Sequence, residues 1–350
     1  MKINIFNKSI NVKVIWKIRK EIFYCLLYKK SRILNFMKVF IINLMKKNVI
    51  KGYPFSLMIE PSSMCNYNCD FCGKRQFKKN GFVRPAGNMD FIDFKIIIDE
   101  TGDYLFFVLL WNLGEPLLNP SFCNMVEYLT KKNILTISST NGYYLKNEII
   151  DKIINSGLTY MIISLDAASS EIYDIYRKKG EFENIIAQIE SLIKRKNELK
   201  KNTPIVDLQF IIMKHNEFQI NDMINLGKKL KVDNVTFKKC QIIVDEIKNE
   251  YLPSNINYRY PEKVSIINRN CFKPFSHAVI NFNGDVFPCC DTIAPEYCMG
   301  NVFKKSFYND IWNNEKYMNF RETFMKKIED IDICSICPSK TDKELLNFHE

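Results

Sequence analysis

Apolar and polar positions follow two alternating rhythms between residues 55 and 238. Short apolar runs predict strands, and longer segments with helical periodicity separate most of them. The strands are predicted at 55–60, 104–111, 134–139, 159–165, 204–213 and 232–238, and the helices at 89–100, 121–132, 146–156, 181–199 and 221–230. This alternation predicts a parallel α/β sheet or barrel with functional loops at the carboxyl ends of its strands.

The strand and helix rhythm stops near residue 240. Two short apolar runs, 278–282 and 286–288, flank Asn283-Gly284-Asp285 and predict a hairpin, and a helical segment follows at 310–325. We therefore predict three parts: an extension at 1–51, a barrel at 52–240 and a small domain at 241–350.

The net charge of +11 is concentrated at the start of the chain. Residues 1–51 hold thirteen Lys or Arg and one acid, Glu21, whereas the other 299 residues hold 37 bases and 38 acids. The body is thus neutral, and we expect no nucleic-acid partner.

The basic extension is also apolar. Its run at 33–45 contains Lys38 and is shorter than the roughly 20 residues that span a bilayer, and no secretory signal precedes it. Two interpretations remain open. The extension is a helical collar packed on the body, or it lies on an anionic membrane surface.

Three cysteines follow the first predicted strand with metal-like spacing. Cys65, Cys69 and Cys72 are separated by three and two residues. Closed zinc and iron–sulfur sites usually take four ligands. Three thiols without a nearby fourth ligand indicate a site left open to a substrate or cofactor, although a structural zinc site is the alternative. Twelve cysteines in 350 residues are too sparse for a disulfide scaffold, so we expect a reducing, cytoplasmic setting, with the inner membrane face as a possible peripheral location.

The cysteine spacing, with Phe71 just before the last thiol, resembles the cluster motif of the radical S-adenosylmethionine superfamily. Leu113-Gly114-Glu115-Pro116 resembles the Gly-Glu-Pro segment of that family, with Leu113 in place of a common glycine. The resemblance covers residues 55–238 and implies a partial (β/α)6 TIM-like barrel. It also implies that the three cysteines hold a [4Fe–4S] cluster to which S-adenosylmethionine binds.

The resemblance implies roles for polar residues after the strands. The Gly-Glu-Pro segment would lie beside the methionyl amino group, Ser164 and Asp166 would face the ribose, and Arg177 would hold the methionine carboxylate as a planar fork. The full set of expected cofactor-binding residues is Phe71, Gly114, Glu115, Pro116, Asn141, Ser164, Asp166 and Arg177. Surface or capping roles are the alternative for Asn141, for the Ser164–Asp166 pair and for Arg177.

A second cysteine set lies near the end of the sequence. Cys271, Cys289, Cys334 and Cys337 could close a four-ligand site, with Cys290 or Cys298 as substitutes. This set resembles the SPASM and twitch extensions of the same superfamily. No cysteine follows Cys337, which favours the twitch form with one auxiliary cluster, expected to be [4Fe–4S]; structural zinc is the alternative.

The resemblance implies an oxidoreductase that forms a 5′-deoxyadenosyl radical and abstracts a substrate hydrogen. An auxiliary cluster would favour a net oxidation, a dehydrogenation or cross-linking, with Asp291 as a candidate base. We expect a small or membrane-linked glycan or lipid substrate and an electron donor such as flavodoxin or ferredoxin, because the extension looks too short and apolar for a peptide leader-binding domain. Peptide modification is the alternative, and a membrane-associated zinc-binding scaffold is the alternative of another class.

Overall fold

The computed structural model describes residues 2–5, 8–73, 83–242, 247–260, 271–290, 294–335 and 337. The chain opens with a hairpin in which β1 (Lys2–Ile5) pairs antiparallel with β2 (Lys8–Asn11). Three helices follow, α1 (Val12–Lys17), α2 (Arg19–Leu27) and α3 (Lys30–Leu44). None of the described helices combines the length and apolar character that crossing a bilayer requires.

Six parallel strands form the barrel sheet in chain order. They are β3 (Ser56–Ile59), β4 (Phe107–Leu109), β5 (Leu135–Thr140), β6 (Tyr160–Ser164), β7 (Ile205–Ile212) and β8 (Asn234–Lys239). All six predicted strands are confirmed, because strands covered on both faces appear in sequence as apolar runs. The second is shorter than predicted, since Gly102–Tyr104 forms a 3-10 turn.

Helices connect the barrel strands and cover the outside of the sheet. They are α4 (Phe91–Thr101), α5 (Phe122–Lys131), α6 (Asn147–Ser156), α7 (Ser170–Tyr176), α8 (Phe182–Glu198) and α9 (Ile220–Leu230). Five of these match predicted helices, and α7 was not predicted. Gly157 ends α6 in the left-handed conformation, with φ of 85°, as glycine does at many helix ends. The architecture is the expected partial (β/α)6 barrel.

The C-terminal strands extend the same sheet. β9 (His277–Ile280) pairs parallel with β3, and the predicted hairpin follows as β10 (Asp285–Phe287) pairs antiparallel with β9 and then with β11 (Gly300–Asn301). The strand that leads into Cys65 is therefore separated by β9 alone from the strand that leads into Cys289 and Cys290.

Short helices complete this C-terminal part and several barrel loops. The α-helices are α10 (Lys248–Tyr251), α11 (Lys273–Ser276), α12 (Glu315–Lys326) and α13 (Asp332–Ser335), with a π-helix at Phe307–Ile311. In the described part of the chain, further 3-10 turns lie at Pro116–Leu118, Glu217–Gln219, Ile256–Tyr258, Pro295–Tyr297 and Ile328–Asp330. The helical segment predicted at 310–325 is thus divided between the π-helix and α12.

The N-terminal helices pack against the amino-terminal ends of the strands. Arg32 is fully buried and donates to the carbonyl oxygens of Cys25, Gly102, Lys132 and Asn133 at 2.8–3.3 Å. The last three acceptors follow α4 and α5, where helix ends leave carbonyls without partners in the helix. The Asn35 amide likewise exchanges two hydrogen bonds with the Tyr53 backbone, at 2.8 and 2.9 Å. The extension therefore forms a collar on the barrel base.

Candidate active site

The cysteine triplet lies on the loop after β3, at the carboxyl end of the sheet. Cys69 is buried, and Cys65 and Cys72 are half-buried. Burial raises the pKa of the Cys69 thiol to about 12, because the thiolate loses its hydration. A thiolate at this position therefore needs a positively charged partner, and bound iron supplies one.

The three thiols suit a cluster better than a single ion. Among the residues that the structure describes, no three His, Cys, Asp or Glu side chains converge closely enough to hold one metal ion. Iron–sulfur clusters are held by cysteine thiolates, and each thiolate binds a different iron, so the sulfurs need not converge on one point. The donor set on this loop fits such a cluster.

Gly114 brings the second sequence motif against the cysteine loop. A Cβ atom at this position would lie 1.9 Å from the Ser62 carbonyl oxygen, so only glycine fits. The next residue, Glu115, donates its backbone N–H to the Met64 carbonyl at 2.7 Å. Pro116 then begins the 3-10 turn. The two motifs are thus joined by backbone contact immediately before Cys65.

The Glu115 carboxylate is buried and holds the end of β5. It accepts hydrogen bonds from the Thr140 hydroxyl at 2.7 Å and from the backbone N–H groups of Asn141 and Leu117 at 2.8 and 3.1 Å. Burial raises the pKa of Glu115, and the three donors oppose that rise by favouring the carboxylate. Both side-chain oxygens are occupied, so Glu115 positions the strand end.

Asn141 links this strand end to the cysteine loop. Its side-chain NH2 donates to the Asn66 Oδ1 atom at 2.9 Å and lies 3.9 Å from the Cys65 sulfur. Its Oδ1 atom accepts the backbone N–H of Tyr143 at 3.0 Å. The Asn-Gly pair after the third strand is therefore part of the wall around the candidate cluster.

Asp166 and Arg177 form a buried ion pair on the other side of the loop. One Asp166 carboxylate oxygen accepts from the Nε and Nη2 groups of Arg177, and the other accepts the Ile211 N–H at 2.7 Å. Burial opposes the Arg177 charge, but Asp166 raises the pKa of the guanidinium. The Nη1 group lies 3.9 Å from the Cys69 sulfur. Arg177 thus places a positive charge beside the cysteine loop.

Phe71 and Ser164 lie in different parts of the site. The Phe71 ring stacks on Tyr176 with centroids 4.4 Å apart and meets Tyr251 edge-on at 5.2 Å. Ser164 lies at the end of β6 between Ser139 and Gln209, with each polar atom 3.5 Å from its hydroxyl. The structure therefore brings Ser164 into the polar interior of the barrel and Phe71 into an aromatic cluster behind the loop.

One buried pair at this end of the barrel was not predicted. Arg84 donates to both carboxylate oxygens of Glu60 at 3.1 and 2.6 Å, and the Leu113 N–H donates to the same carboxylate at 3.2 Å. The pair fastens β3 to the Gly-Glu-Pro segment. The sequence did carry a signal for this pair, namely a glutamate at the end of an apolar strand just before the cysteines. Its partner was not evident because Arg84 lies 24 residues further along the chain.

The C-terminal cysteines surround the hairpin. Cys289 lies near the buried Tyr317, whose pKa is raised by burial and further by the Cys289 thiol. The Tyr317 hydroxyl has no hydrogen-bond partner among the described residues. A cluster thiolate is an acceptor that such an orphaned donor could serve, so these residues fit an iron–sulfur group.

Cys290 and Cys298 have different surroundings from Cys289. They pack against an apolar cluster of Met58, Val279 and Phe287, and the Lys273 amine donates to the Cys290 sulfur at 3.6 Å. Cys271 precedes α11, Cys334 lies on α13, and Cys337 follows it. The ligand set Cys271, Cys289, Cys334 and Cys337 stays a prediction. Asp291 lies outside the described residues.

Two family models match the chain. The radical SAM superfamily model matches residues 59–225, and the SPASM model, an iron–sulfur cluster-binding domain, matches residues 271–338. The chain belongs to the radical S-adenosylmethionine superfamily. It is an iron–sulfur enzyme whose radical SAM domain binds a [4Fe–4S] cluster with S-adenosylmethionine and whose SPASM domain binds auxiliary iron–sulfur clusters.

Several radical SAM proteins are similar over most of their length. A tungsten-containing aldehyde ferredoxin oxidoreductase cofactor-modifying protein of Pyrococcus furiosus is 23% identical, over 76% of this chain and 82% of its own. A 2-deoxy-scyllo-inosamine dehydrogenase of Niallia circulans is 22% identical, over 81% and 92%. SuiB of Streptococcus suis, solved with S-adenosylmethionine, shares the fold with a TM-score of 0.60, at 20% identity over 85% and 74%.

Other relatives match only in part. The alignments span 46% of an AdoMet-dependent heme synthase of Methanosarcina barkeri and 45% of the mycofactocin maturase MftC of Mycobacterium ulcerans. These partial matches support the superfamily and leave the substrate of this chain open.

Proposed function

We propose that this enzyme dehydrogenates a small hydroxylated substrate of the glycan type. The observation that carries the proposal is the set of neutral polar side chains at the strand ends around the barrel mouth. Ser139 on β5 and Gln209 on β7 lie on either side of Ser164, and Asn112 contacts Asn281 at 3.2 Å. Such groups both donate and accept hydrogen bonds, which suits a substrate with several hydroxyls. The similarity to an inosamine dehydrogenase across 92% of that enzyme supports this choice.

The bound groups supply the radical chemistry. S-adenosylmethionine and its cluster supply a radical that removes one hydrogen atom from a substrate carbon, and an auxiliary cluster supplies an acceptor for the second electron. Flavodoxin or ferredoxin is the proposed electron donor. The hydroxyl proton must also leave, and Asp291 is our candidate acceptor for it.

The chain's own residues hold and orient these groups. We assign Cys65, Cys69 and Cys72 to the first cluster. We assign Asp166 and Glu115 to positioning, because each carboxylate already accepts three hydrogen bonds from groups of the chain. Asp166 orients Arg177, which remains our candidate for the methionine carboxylate, and Glu115 orients Asn141. The predicted ribose contact is thereby left to Ser164.

Isotope transfer tests the proposal. The reconstituted enzyme would be incubated with S-adenosylmethionine, a reductant and polyols or aminocyclitols deuterated at their carbinol carbons. We expect deuterium in 5′-deoxyadenosine and a product three mass units lighter than the deuterated substrate, because one deuterium leaves the carbon and one hydrogen leaves the hydroxyl. Substitution Gln209→Leu should raise KM for the polyol, whereas Gln188→Leu, an equally buried amide on α8, should not. Cleavage without transfer from any polyol would contradict the substrate class.

Peptide modification is the second candidate. SuiB has been solved with its precursor peptide, and it resembles this chain in fold with a TM-score of 0.58. The mycofactocin maturases are further relatives. Deuterium transfer from a labelled peptide, with none from polyols, would favour this candidate.

A further inference from the structure

Helix α3 carries apolar residues on its outer side as well as on its inner side, where Phe36, Val39 and Ile42 pack against the core. Its buried residues are Arg32, Asn35 and Val39. Its exposed side is formed by large apolar residues, each between 39% and 61% exposed, namely Ile33, Leu34, Met37, Phe40, Ile41 and Leu44. A surface helix usually turns its apolar stripe to the core. The apolar side of α3 therefore lacks the cover that the fold normally gives such a stripe.

The outward position of these apolar residues follows from the polar contacts that α3 makes with the barrel base. Arg32 donates to four carbonyl oxygens there, and the Asn35 amide pairs with the Tyr53 backbone. These polar contacts fix the rotation of α3 about its axis. The apolar residues consequently point outward as a result of specific packing.

The two preceding helices contact each other and α3 in chain order, and they also expose apolar residues. Four residues of α2 and one of α1 are exposed in the same way, namely Phe23, Tyr24, Leu26, Leu27 and Trp16. Together with the exposed apolar residues of α3 they form what we call the basal face. Large exposed apolar surfaces mark interaction sites in folded proteins.

Exposed lysines accompany the basal face. Lys20, Lys30, Lys38, Lys46, Lys47 and Lys51 are exposed and form no ion pair with any described residue. By contrast, Lys17 and Lys29 pair with Asp233 and Asp103 on the barrel. The uncompensated positive charge thus belongs to the segment that carries the exposed apolar residues.

We propose that the basal face binds the surface of an anionic lipid bilayer. Basic helices with large apolar side chains insert at the interface of such membranes, and each lysine adds attraction to anionic headgroups. A second copy of the same face would bring like charges together, which disfavours self-association.

The proposed docking also sets the orientation of the enzyme. The basal face lies at the amino-terminal ends of the strands, whereas Cys65 and Glu115 lie at the carboxyl ends. The barrel mouth of the docked enzyme would face away from the bilayer, so the substrate would arrive from the aqueous side. This inference does not depend on which substrate is oxidised.

Vesicle flotation of the full chain tests the docking. Phosphatidylglycerol-containing vesicles are compared with pure phosphatidylcholine vesicles. We expect flotation with the anionic vesicles only, weakened by salt. The double substitution Leu34→Asp/Ile41→Asp should reduce binding at least tenfold. The matched control Ile92→Asp/Ile256→Asp alters two equally apolar, exposed residues elsewhere and should bind as the original chain does. Lys30→Gln/Lys38→Gln should lower binding about fivefold for each lysine removed.

Two further measurements distinguish membrane docking from self-association and from loss of folding. Trp16 fluorescence should be quenched by lipids brominated in their acyl chains. The quenching should disappear in Trp16→Phe, since Trp312 is fully buried and Trp111 follows the carboxyl end of β4, away from the basal face. Thermal unfolding should show that each variant is folded. Failure of the original chain to float, or unchanged flotation of Leu34→Asp/Ile41→Asp, would overturn the proposal. A dimer that this variant disrupts, without vesicle binding, would assign the face to self-association instead and also overturn it.

Discussion

Substitution of Glu115 by Gln removes one carboxylate oxygen from a site with three donors. The carboxylate accepts from Thr140, Asn141 and Leu117 within 2.7–3.1 Å and is buried. Glutamine keeps one acceptor, but its NH2 group must face either the Asn141 N–H or the other two donors. A buried donor left without an acceptor costs about 1–3 kcal/mol, and bonds to a charged acceptor are worth about 1.5–3 kcal/mol. We therefore expect Glu115→Gln to lower the free energy of unfolding by about 2–4 kcal/mol.

Urea titration of the apo protein measures this loss, and equilibrium dialysis of the reconstituted enzyme measures S-adenosylmethionine binding. Thr140→Val is the control that keeps the carboxylate: it removes one of the three donors and the acceptor of the Gly142 N–H, and it should cost about 1.5–3 kcal/mol. Since Glu115 orients Asn141 beside Cys65, Glu115→Gln should also weaken S-adenosylmethionine binding more than the control does. A loss below about 1 kcal/mol with unchanged binding would refute the positioning role.

Three other substitutions test separate parts of the structure. Gly114→Ala places a methyl group 1.9 Å from the Ser62 carbonyl oxygen, so S-adenosylmethionine binding measured by dialysis should be lost; retained binding would contradict this contact. Arg32→Met leaves carbonyls at the barrel base without their donor and should lower unfolding free energy by about 3 kcal/mol in urea, whereas a change near zero would refute the anchoring role. Burial lowers the pKa of His277 to about 3, so its stabilising contribution is complete above the unfolded pKa of 6.5 and is lost as the pH falls towards 3, by about 1.4 kcal/mol per pH unit. His277→Asn should reduce the dependence of the unfolding free energy on pH between 6.5 and 3, measured in urea. An identical pH dependence in the variant and the original chain would contradict this role of His277.

The sequence was sufficient to predict the barrel because its strands and helices carry local signals. Most barrel strands are apolar runs, β5 alternates between buried and half-buried positions, and the helix that Gly157 ends was predicted within one residue. The pairing of β9 with β3 was not predicted, because strand partners more than 200 residues apart leave no local periodicity. Helix α7, of seven residues, was too short to be recognised by its pattern.

The sequence predicted the motifs of the site but not the hydrogen bonds and ion pairs that connect them. The spacing of the cysteines and the Gly-Glu-Pro segment located the loops, and the family models agree with that assignment. Which donor meets which acceptor depends on tertiary contacts. The pairs Glu60–Arg84 and Asp166–Arg177 are therefore visible only in the folded chain. The apolar residues on the outer side of α3 also depend on tertiary contacts. The carbonyl groups that bind the buried Arg32 lie about 70 to 100 residues away in the sequence.

The central claim is that Cys65, Cys69 and Cys72 hold the cluster that cleaves S-adenosylmethionine. Anaerobic reconstitution with iron and sulfide, followed by dithionite reduction and quantification of 5′-deoxyadenosine, tests it directly. The original chain should form 5′-deoxyadenosine. A chain with all three cysteines changed to alanine should form none, while it retains the iron of the C-terminal cysteines. Cleavage that survives the triple substitution, or a chain that takes up stoichiometric zinc and cleaves nothing, would contradict the account.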